Sequence, residues 1–274
     1  MNLNSAMIRV GDLVSDTLPR DFTYEMYEAL IEKTTECAYS TLPVKEYISA
    51  ESLPNRFAVF RHDVDRKPQN ALDIARIEAE HGVTATYYFR TVDKTFNPEL
   101  IQTIASLGHE IGYHYEDLDR ADGDIDRAHE LFAENLEQLR AVCDIDTVCM
   151  HGNPLTPHDN RDIWTEEYDF DEYGLFGEAY LSANFTDLTY FSDTGRTWRD
   201  GTLKVKDTTT GPSEKQYQAS GTEELIQLVK SGRLQRPYIL SHPNRWAGSY
   251  DELVYVTGKD TVINVGKRAL QMFR

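Results

Sequence analysis

The stretch FAVFRHDVDRKPQNALDIARIEAEHGVTATYYFR, residues 57–90, decides the fold. Its first apolar run, residues 57–61, is typical of a buried strand, and a second such run follows at residues 84–90. Between the two runs, residues 67–82 carry apolar side chains on one helical face and end in a glycine suited to a helix C-cap. The stretch therefore predicts a strand–helix–strand unit whose two strands run parallel.

The same alternation continues after this unit. Residues 97–108 begin with asparagine and proline, which favour the start of a helix, and they end in glycine. Residues 124–144 have apolar side chains at helical spacing, and strands are predicted at residues 109–114 and 147–151. Four β/α units in succession predict an α/β fold, either a parallel sheet or a (β/α) barrel, with function at the C-terminal ends of the strands.

Two segments lie outside these units. Residues 1–56 contain one predicted helix, at residues 24–39, and are interpreted as an extension packed on a barrel domain of residues 57–274. Residues 152–188 form a long, aromatic-rich connection, which we expect to act as a lid or to cover the barrel.

The last third of the chain returns to the same pattern. Apolar runs at residues 188–193 and 238–243 predict two further strands. From Tyr250 onward the chain is predicted to be helical after a break at residues 258–260.

The composition limits the classes of function. A chain of 274 residues, with 40% hydrophobic and 27% charged residues, is typical of a globular protein with a large core. Its net charge of -18, without any basic run, disfavours binding to nucleic acid or to anionic membranes. We therefore expect a small-molecule partner, while the oligomeric state is left open.

The start of the sequence has no basic segment followed by an apolar one, and no window approaches the roughly 20 apolar residues that cross a bilayer. We therefore expect a cytoplasmic protein without membrane insertion. The three cysteines are an odd number, which favours reduced thiols over a disulfide framework. Cys143 and Cys149 lie just before and within a predicted strand and are expected to pack as small hydrophobic side chains.

Polar side chains gather at the ends of five predicted strands. They are Asp63, Asp65, His114, His151, Asp193 and His242. A barrel brings such positions together in one mouth. Aspartate and histidine are the oxygen and nitrogen ligands that a zinc-like divalent cation accepts, and a catalytic site needs about three of them. The sequence therefore predicts a metal-dependent hydrolase.

Five motifs, taken in order, resemble those of a known enzyme family. They are RHDVD (61–65), GHEIGYH (108–114), MHGNP (150–154), YFSDTGRTW (190–198) and ILSHP (239–243). Their order and spacing resemble the polysaccharide deacetylases, carbohydrate esterase family 4, over about residues 57–246. The resemblance implies a distorted (β/α) barrel that holds one divalent metal ion and removes an acyl group from an amide nitrogen, usually on an N-acetylated sugar.

The first motif can be aligned with the family in two ways. The family pattern is Thr-Phe-Asp-Asp-Gly, in which the first aspartate is the general base and the second is a metal ligand. One alignment makes Asp63 the base and Asp65 the ligand, and the other makes Asp63 the ligand and His62 the base. The first is preferred, because residues 63 and 65 lie two apart at the end of an extended strand and can face the same side.

The second motif departs from the family pattern His-Ser/Thr-x-x-His, in which both histidines bind metal. His114 matches the first histidine, but the second falls on Leu118, which cannot be a ligand. The third ligand is then His151, Glu116 or none at all, in which case no metal is bound. His151 is preferred, because it keeps an Asp-His-His ligand set and ends the adjacent predicted strand.

The remaining motifs imply the rest of the site. By resemblance, His242 protonates the departing amine, Asp193 orients His242, and Trp198 lines the substrate pocket. Arg61 or Arg245 is expected to bind an anionic group on the substrate.

Other polar residues of the second motif are interpreted as structural. His109 lies at the start of its strand, away from the predicted mouth, and is expected to be architectural. Asp117, Asp119 and Asp122 lie beyond the strand and are expected to form a solvated acidic run.

The residues and the resemblance together predict a zinc-dependent hydrolase of carbon–nitrogen bonds other than peptide bonds. Its expected substrate is a soluble sugar or sugar precursor, as in carbohydrate metabolism. One alternative is a hydrolase of a non-sugar amide, similar to the allantoinase-like relatives of this fold. The other is a non-catalytic binding module that has lost its metal, for which Leu118 is the main support.

Overall fold

The computed structural model describes residues 21–201, 204–211 and 217–272. Its strands are β1 (Ser40–Leu42), β2 (Phe57–Val64), β3 (Thr86–Phe89), β4 (Glu110–Tyr115), β5 (Thr147–Met150), β6 (Gly177–Glu178), β7 (Thr189–Ser192) and β8 (Pro237–Ser241). Its α-helices are α1 (Tyr24–Glu36), α2 (Val44–Ser49), α3 (Pro68–Glu80), α4 (Pro98–Ser106), α5 (Asp117–Arg120), α6 (Ile125–Arg140), α7 (Thr222–Lys230) and α8 (Tyr250–Met272). Short 3-10 helices lie at Asn160–Ile163, Phe170–Tyr173 and Pro243–Arg245.

The strands form one parallel sheet in the order β6-β5-β4-β3-β2-β8-β7, with β1 also paired to β2. The sheet curls, since Tyr238 on β8 donates a hydrogen bond of 3.1 Å to the carbonyl of Ala179, just after β6. Within the described residues no ladder joins β6 to β7. Instead, the hydroxyls of Tyr180 and Tyr190 lie 3.3 Å apart, and both donate to Asp207. The predicted α/β class and distorted barrel are confirmed.

Strand β2 is central to the sheet and positions the site. All eight of its residues are buried, as expected for a parallel strand covered on both faces. His62 points to the helical layer, where Glu78 of α3 lies 2.8 Å from its Nε2 atom. Asp63 points to the opposite side, where it lines a cavity at the C-terminal end of the sheet. The chain then turns into α3 through Lys67, which has a positive φ of 52°.

Residues 21–56 contribute more than the one predicted helix. Helix α1 packs on the barrel, and the hydroxyl of Tyr27 donates to Glu78 of α3 at 2.5 Å. Strand β1, which sequence reasoning missed, pairs with the first three residues of β2, Phe57–Val59. This segment is therefore part of the sheet, and the first 20 residues of the predicted extension lie outside the described residues.

The C-terminal segment differs from the sequence-based expectation. The predicted break at residues 258–260 is wrong, because α8 continues through Gly258. A single glycine costs a helix only about 1 kcal/mol, which neighbouring turns can tolerate.

The connection at residues 152–188 also differs in part. Its aromatic side chains pack against the side of the barrel, where the ring of Phe132 on α6 lies 5.2 Å from Trp164 and 4.9 Å from Tyr173. Only its first residues, 152–155, and Tyr180 border the cavity. Most of this connection is therefore a wall of the domain rather than a lid.

Two further expectations concern membranes and cysteines. Within the described ranges, no helix combines the length and the apolar character that crossing a membrane requires. Cys37, Cys143 and Cys149 are all free, and Cys149 is fully buried in the core as a small side chain.

Candidate metal and catalytic site

A cavity of about 450 Å3 opens at the C-terminal ends of the parallel strands. Residues at or just after the C-terminal ends of β2, β3, β4, β5, β7 and β8 line it, as expected for a (β/α) barrel. Its volume is in the range of small-molecule sites in proteins.

The structure brings the three proposed metal ligands together in this cavity. Oδ1 of Asp65 lies 3.3 Å from Nε2 of His114 and 3.4 Å from Nε2 of His151. The two imidazole rings are nearly perpendicular, with centroids 5.2 Å apart. Burial acts to raise the pKa of Asp65, but the surrounding histidines outweigh it and hold the pKa well below the usual range. Asp65 is therefore a charged carboxylate.

These residues fit a divalent cation. Oδ1 of Asp65 is buried and accepts no hydrogen bond from any described residue, which is costly for a carboxylate oxygen. It faces the Nε2 atoms of both histidines, so all three candidate ligand atoms lie within 4.8 Å of one another. One carboxylate oxygen and two imidazole nitrogens form a set that zinc accepts while keeping a position open.

Both histidine rings have a partner at Nδ1, on the side of the ring that faces away from Asp65. Nδ1 of His114 lies 3.0 Å from the carbonyl of Cys149, which leaves Nε2 to face Asp65. Nδ1 of His151 lies 3.3 Å from Oε2 of Glu116. A carbonyl partner of this kind fixes the tautomer of His114. The contact between His151 and Glu116 has an ion-pair distance without hydrogen-bond geometry, so Glu116 acts on His151 through its charge.

Glu116, the alternative third ligand, is held on the far side of His151. Arg90 donates to both of its carboxylate oxygens, at 2.8 and 2.6 Å, and reaches the carbonyl of Asp65 at 3.4 Å. Burial acts to raise the pKa of Glu116, but His151 and Arg90 lower it to about 2. The geometry therefore favours His151 as the ligand and Glu116 as its support.

Leu118 lies where the second histidine of the motif would stand. It is 3% exposed and belongs to the hydrophobic core, and it is not among the residues that line the cavity. The short helix α5 carries it away from the proposed ligands.

A second group, Asp63, His114 and Cys149, also lies within 4.8 Å. It fits a cation less well, because Arg61 donates to both oxygens of Asp63, at 3.1 and 3.0 Å. Burial also raises the pKa of Cys149 well above its usual value, so it remains a thiol rather than a thiolate ligand.

The structure corrects two interpretations of the first motif. Arg61 is fully buried, pairs with Asp63 and lies 4.2 Å over the ring of Tyr180, so it cannot reach a substrate anion. His62 contacts Ser241 and Glu78 in the helical layer, so the alignment that makes His62 the base is wrong.

Asp193 and His242, which follow β7 and β8, form a buried pair, and His242 lines the cavity. Oδ1 of Asp193 lies 2.6 Å from Nδ1 of His242, while Oδ2 accepts from the backbone N–H of His242 and from Nε1 of Trp246. Burial acts to lower the pKa of His242, but the Asp193 carboxylate outweighs it and the pKa is raised. Nε2 of His242 has no hydrogen-bond partner within the described ranges and is left to face the cavity.

Of the two other predicted substrate-binding residues, only one reaches the cavity. Arg245 lines it, with Nε 3.5 Å from Oδ1 of Asp193. Trp198 does not, because it is 1% exposed, packs near Phe22 and donates from Nε1 to Thr222. The prediction for Trp198 is therefore wrong.

The acidic run is only partly solvated. Asp117 is fully buried, where its oxygens accept from Tyr113 at 2.7 Å and from Asn135 at 2.8 Å. Burial raises the pKa of Asp117 to about 6. Asp122, by contrast, is fully exposed. The expectation of a solvated side chain was therefore wrong for Asp117.

His109 has the structural position expected from the sequence. Its Nδ1 accepts from the N–H of Ala85 at 3.2 Å, and its Nε2 lies 2.9 Å from the carbonyl of Ala75. It joins β4 to the outer helix α3, away from the cavity.

Sequence reasoning missed two residues that shape the site. Arg90 ends the predicted strand at residues 84–90, a position that could have marked it. Asp207 gives no such signal, because it lies in a loop. It accepts from the hydroxyls of Tyr180, Tyr190 and Ser192. Burial acts to raise its pKa, but Lys204 and the hydroxyls of Ser192 and Tyr190 lower it to about 2.

No protein-family model and no curated protein matches the chain. The chain is similar to the solved structure of BA3943, described as a CE4 family pseudoenzyme from Bacillus anthracis, with a TM-score of 0.38 and 13% identity. That match covers 76% of this chain and 61% of that chain. Two BA3943 mutants, one described as having restored enzymatic activity, give TM-scores of 0.38 and 0.39 at 13% identity. Each match covers 76% of this chain and 63% of the mutant chain, so this chain spans less than two thirds of their length.

Proposed function

We propose that this protein is a metal-dependent hydrolase that removes an acyl group from an amide nitrogen. One observation carries the proposal: a single cavity is lined by Asp65, His114 and His151 and also by His242, which is paired with Asp193. This arrangement provides ligands for a cation and an acid for the leaving group, which are the parts that amide hydrolysis requires.

The ligand set would hold one divalent cation, with zinc as the proposed ion. Such a cation supplies Lewis acidity, which polarises the acyl carbonyl and makes a nearby water more acidic. Glu116 and Arg90 keep the proposed ligand His151 in place.

Two groups would move protons. Asp63 lines the cavity and accepts a proton from the attacking water, while Arg61 holds its carboxylate in one orientation. His242 donates a proton from Nε2 to the departing nitrogen, since its Nδ1 is bound to Asp193. The raised pKa of His242 keeps it protonated for this role.

The proposed substrate is a soluble N-acylated sugar or sugar precursor, in the cytoplasm. The sugar rests on the resemblance of the five motifs to those of the polysaccharide deacetylases. A cavity of about 450 Å3 accommodates one small molecule, and the partly exposed side chains of Leu155 and Val205 offer apolar contacts at its edge.

Metal content and amine release test the proposal. The purified protein is expected to contain close to one equivalent of zinc, and its melting temperature is expected to rise with added zinc. N-acetylated sugar nucleotides are expected to release amine, whereas ureides would be the substrates of an allantoinase-like hydrolase. His114→Ala should lose both metal and activity, with Glu80→Gln, exposed on α3, as the control. A protein without metal and without a thermal response to zinc would refute the proposal.

A second candidate, a non-catalytic binding module, is favoured by the pairing of Asp63. Both oxygens of this carboxylate accept from the buried Arg61, so a water must compete with Arg61 for Asp63. Such a module would bind N-acetylated sugars without releasing amine, even when zinc is bound. Calorimetry combined with an amine assay on the same preparation separates the two functions.

A further inference from the structure

The charges around the cavity are unusual for a chain of net charge -18. The carboxylates in or next to the cavity have partners of their own: Asp63 with Arg61, Asp65 with the two proposed histidine ligands, Glu116 with Arg90, Asp193 with His242, and Asp260 with Arg196. Asp207 is held by hydroxyl groups and by the charge of the nearby Lys204. Arg66, Lys206 and Arg245 also line the cavity, and none of these pairings uses them.

Arg245 gives the strongest support for a ligand that carries a negative charge. It is 9% exposed, and its guanidinium donates no hydrogen bond to any described residue. The nearest carboxylate oxygen, Oδ1 of Asp193, is 3.5 Å from Nε and already pairs with His242 at 2.6 Å. A buried guanidinium whose donors are unused is costly unless a partner accepts from them. The cavity that Arg245 lines is where that partner can enter.

The two other cations form no ion pair with a described carboxylate, although the charge of Lys206 also acts on the Asp159 carboxylate. Arg66 is partly exposed and makes neither a hydrogen bond nor an ion pair with any described residue. Nζ of Lys206 donates to the hydroxyl of Thr156 at 2.9 Å and to the carbonyl of His158, which are neutral oxygens. Their positive charges are therefore free to act on a ligand in the cavity.

Strand pairing explains how two of these cations reach the same cavity. Arg66 follows β2 and Arg245 follows β8, and these strands are neighbours in the parallel sheet. Their C-terminal ends open at the same edge, next to the proposed ligand Asp65 and the proposed acid His242. A substrate whose amide lies between these two residues would have both guanidinium groups beside it.

We propose that the substrate carries an anionic group, a carboxylate or a phosphate, and that Arg245 binds it beside His242, with Arg66 and Lys206 adding positive charge. This inference rests on the proposed function and specifies its substrate class. A guanidinium suits the task, because its parallel N–H donors match two oxygens of one anion. A neutral N-acetylated sugar would leave the donors of Arg245 unused.

Matched pairs of acyl amides that differ only in charge test this inference. The phosphate monoester of N-acetylglucosamine is compared with N-acetylglucosamine, and N-acetylglycine with N-acetylglycinamide. We expect the anionic member of at least one pair to have a kcat/KM about 10- to 100-fold higher, the effect of one or two charge-assisted hydrogen bonds. The pair that shows the preference identifies the anion as phosphate or carboxylate.

Variants of Arg245 and Arg66 show which residue causes the preference for the anionic substrate. Arg245→Gln is expected to remove most of the kcat/KM ratio between the anionic and the neutral member, whatever it does to the absolute rates through its contact with Asp193. Arg245→Lys should restore part of that ratio. Arg66→Gln, at a partly exposed position that does not endanger folding, should reduce the preference by a smaller factor. Arg76→Gln, exposed on helix α3, is the control and should change nothing. Equal rates for both members of both pairs, or an equal loss for both in Arg245→Gln, would overturn the inference.

The test does not depend on turnover. Where a compound releases no amine, its dissociation constant is measured by calorimetry on the same full-length protein. An anion preference that Arg245→Gln abolishes supports the inference even without hydrolysis, and the absence of amine release then counts against the proposed function alone. Equal affinity for charged and neutral members overturns the inference even in an active enzyme.

Discussion

Nδ1 of His151 lies 3.3 Å from Oε2 of Glu116, while Nε2 of the same ring lies 3.4 Å from Asp65. The carboxylate and the proposed metal position are therefore on opposite sides of the imidazole. Arg90 holds Glu116 with two hydrogen bonds and also reaches the carbonyl of Asp65. One arginine thus supports two of the three proposed ligands.

We expect Glu116→Gln and Arg90→Lys to weaken zinc binding about 10- to 100-fold without abolishing it. Groups that contact a metal-binding side chain without touching the metal tune its basicity and orientation. Competition with a chromophoric chelator measures the affinity. Glu80→Gln, exposed on α3, should leave it unchanged. If Glu116 were itself the ligand, Glu116→Ala would eliminate binding and His151→Ala would spare it.

A separate prediction distinguishes the two possible ligand groups. His151→Ala should lower zinc affinity by about 100-fold or more, since it removes one of three protein ligands. Cys149→Ala should leave the affinity within a few-fold, because burial keeps Cys149 as a thiol. A thiolate-to-metal absorption band in the cobalt-substituted protein would contradict this assignment.

The sequence predicts the position of Asp65 better than that of Trp198, for a physical reason. Residues 63 and 65 are two apart, and the period of a strand puts such side chains on one side. Both carboxylates do lie near His114, although β2 itself ends at Val64. The same period placed His114 at the end of its strand, where it faces Asp65. Trp198 follows a turn, so its direction depends on packing against Phe22 and Thr222, which local sequence does not reveal.

Other features required the tertiary structure. Strand β1 has only three residues, too few for a periodic signal, and forms because β2 offers it a pairing edge. The acidic run at residues 117–122 contains three aspartates of the same type, yet the first is buried under Tyr113 and Asn135 while the last is fully exposed. Composition predicts the average environment of such a run and not that of each residue.

The pairing of Asp193 with His242 predicts how kcat/KM depends on pH. The carboxylate raises the pKa of His242 against the effect of burial, and the proposed acid works only when protonated. In Asp193→Asn we therefore expect the alkaline limb of kcat/KM to move to lower pH and the maximum rate to fall about tenfold or more. Asp251→Asn, exposed at the start of α8, is the control. An unchanged alkaline limb would exclude His242 as the acid that Asp193 tunes.

The burial of Asp117 predicts how the free energy of unfolding depends on pH. Its pKa is raised from 3.8 to about 6, so the folded protein holds this proton more tightly than the unfolded chain. The associated stability is fully present below about pH 4 and is lost as the pH rises through about 6, which amounts to about 3 kcal/mol. In Asp117→Asn this component disappears, so the unfolding free energy should fall less between pH 4 and pH 7 than in the unsubstituted protein.

Urea unfolding at several pH values measures the difference between the two proteins. Asp122→Asn, at an exposed position with a positive φ of 52° that asparagine tolerates, should follow the unsubstituted protein across the whole range. The amide of Asp117→Asn cannot accept from both Tyr113 and Asn135, so a constant loss of about 1 kcal/mol is expected at every pH. That constant loss does not change how steeply the unfolding free energy varies with pH. Parallel curves for Asp117→Asn and the unsubstituted protein would show that Asp117 binds its proton equally well in the folded and unfolded states, because only a difference in proton binding between the two states makes the curves converge or diverge with pH.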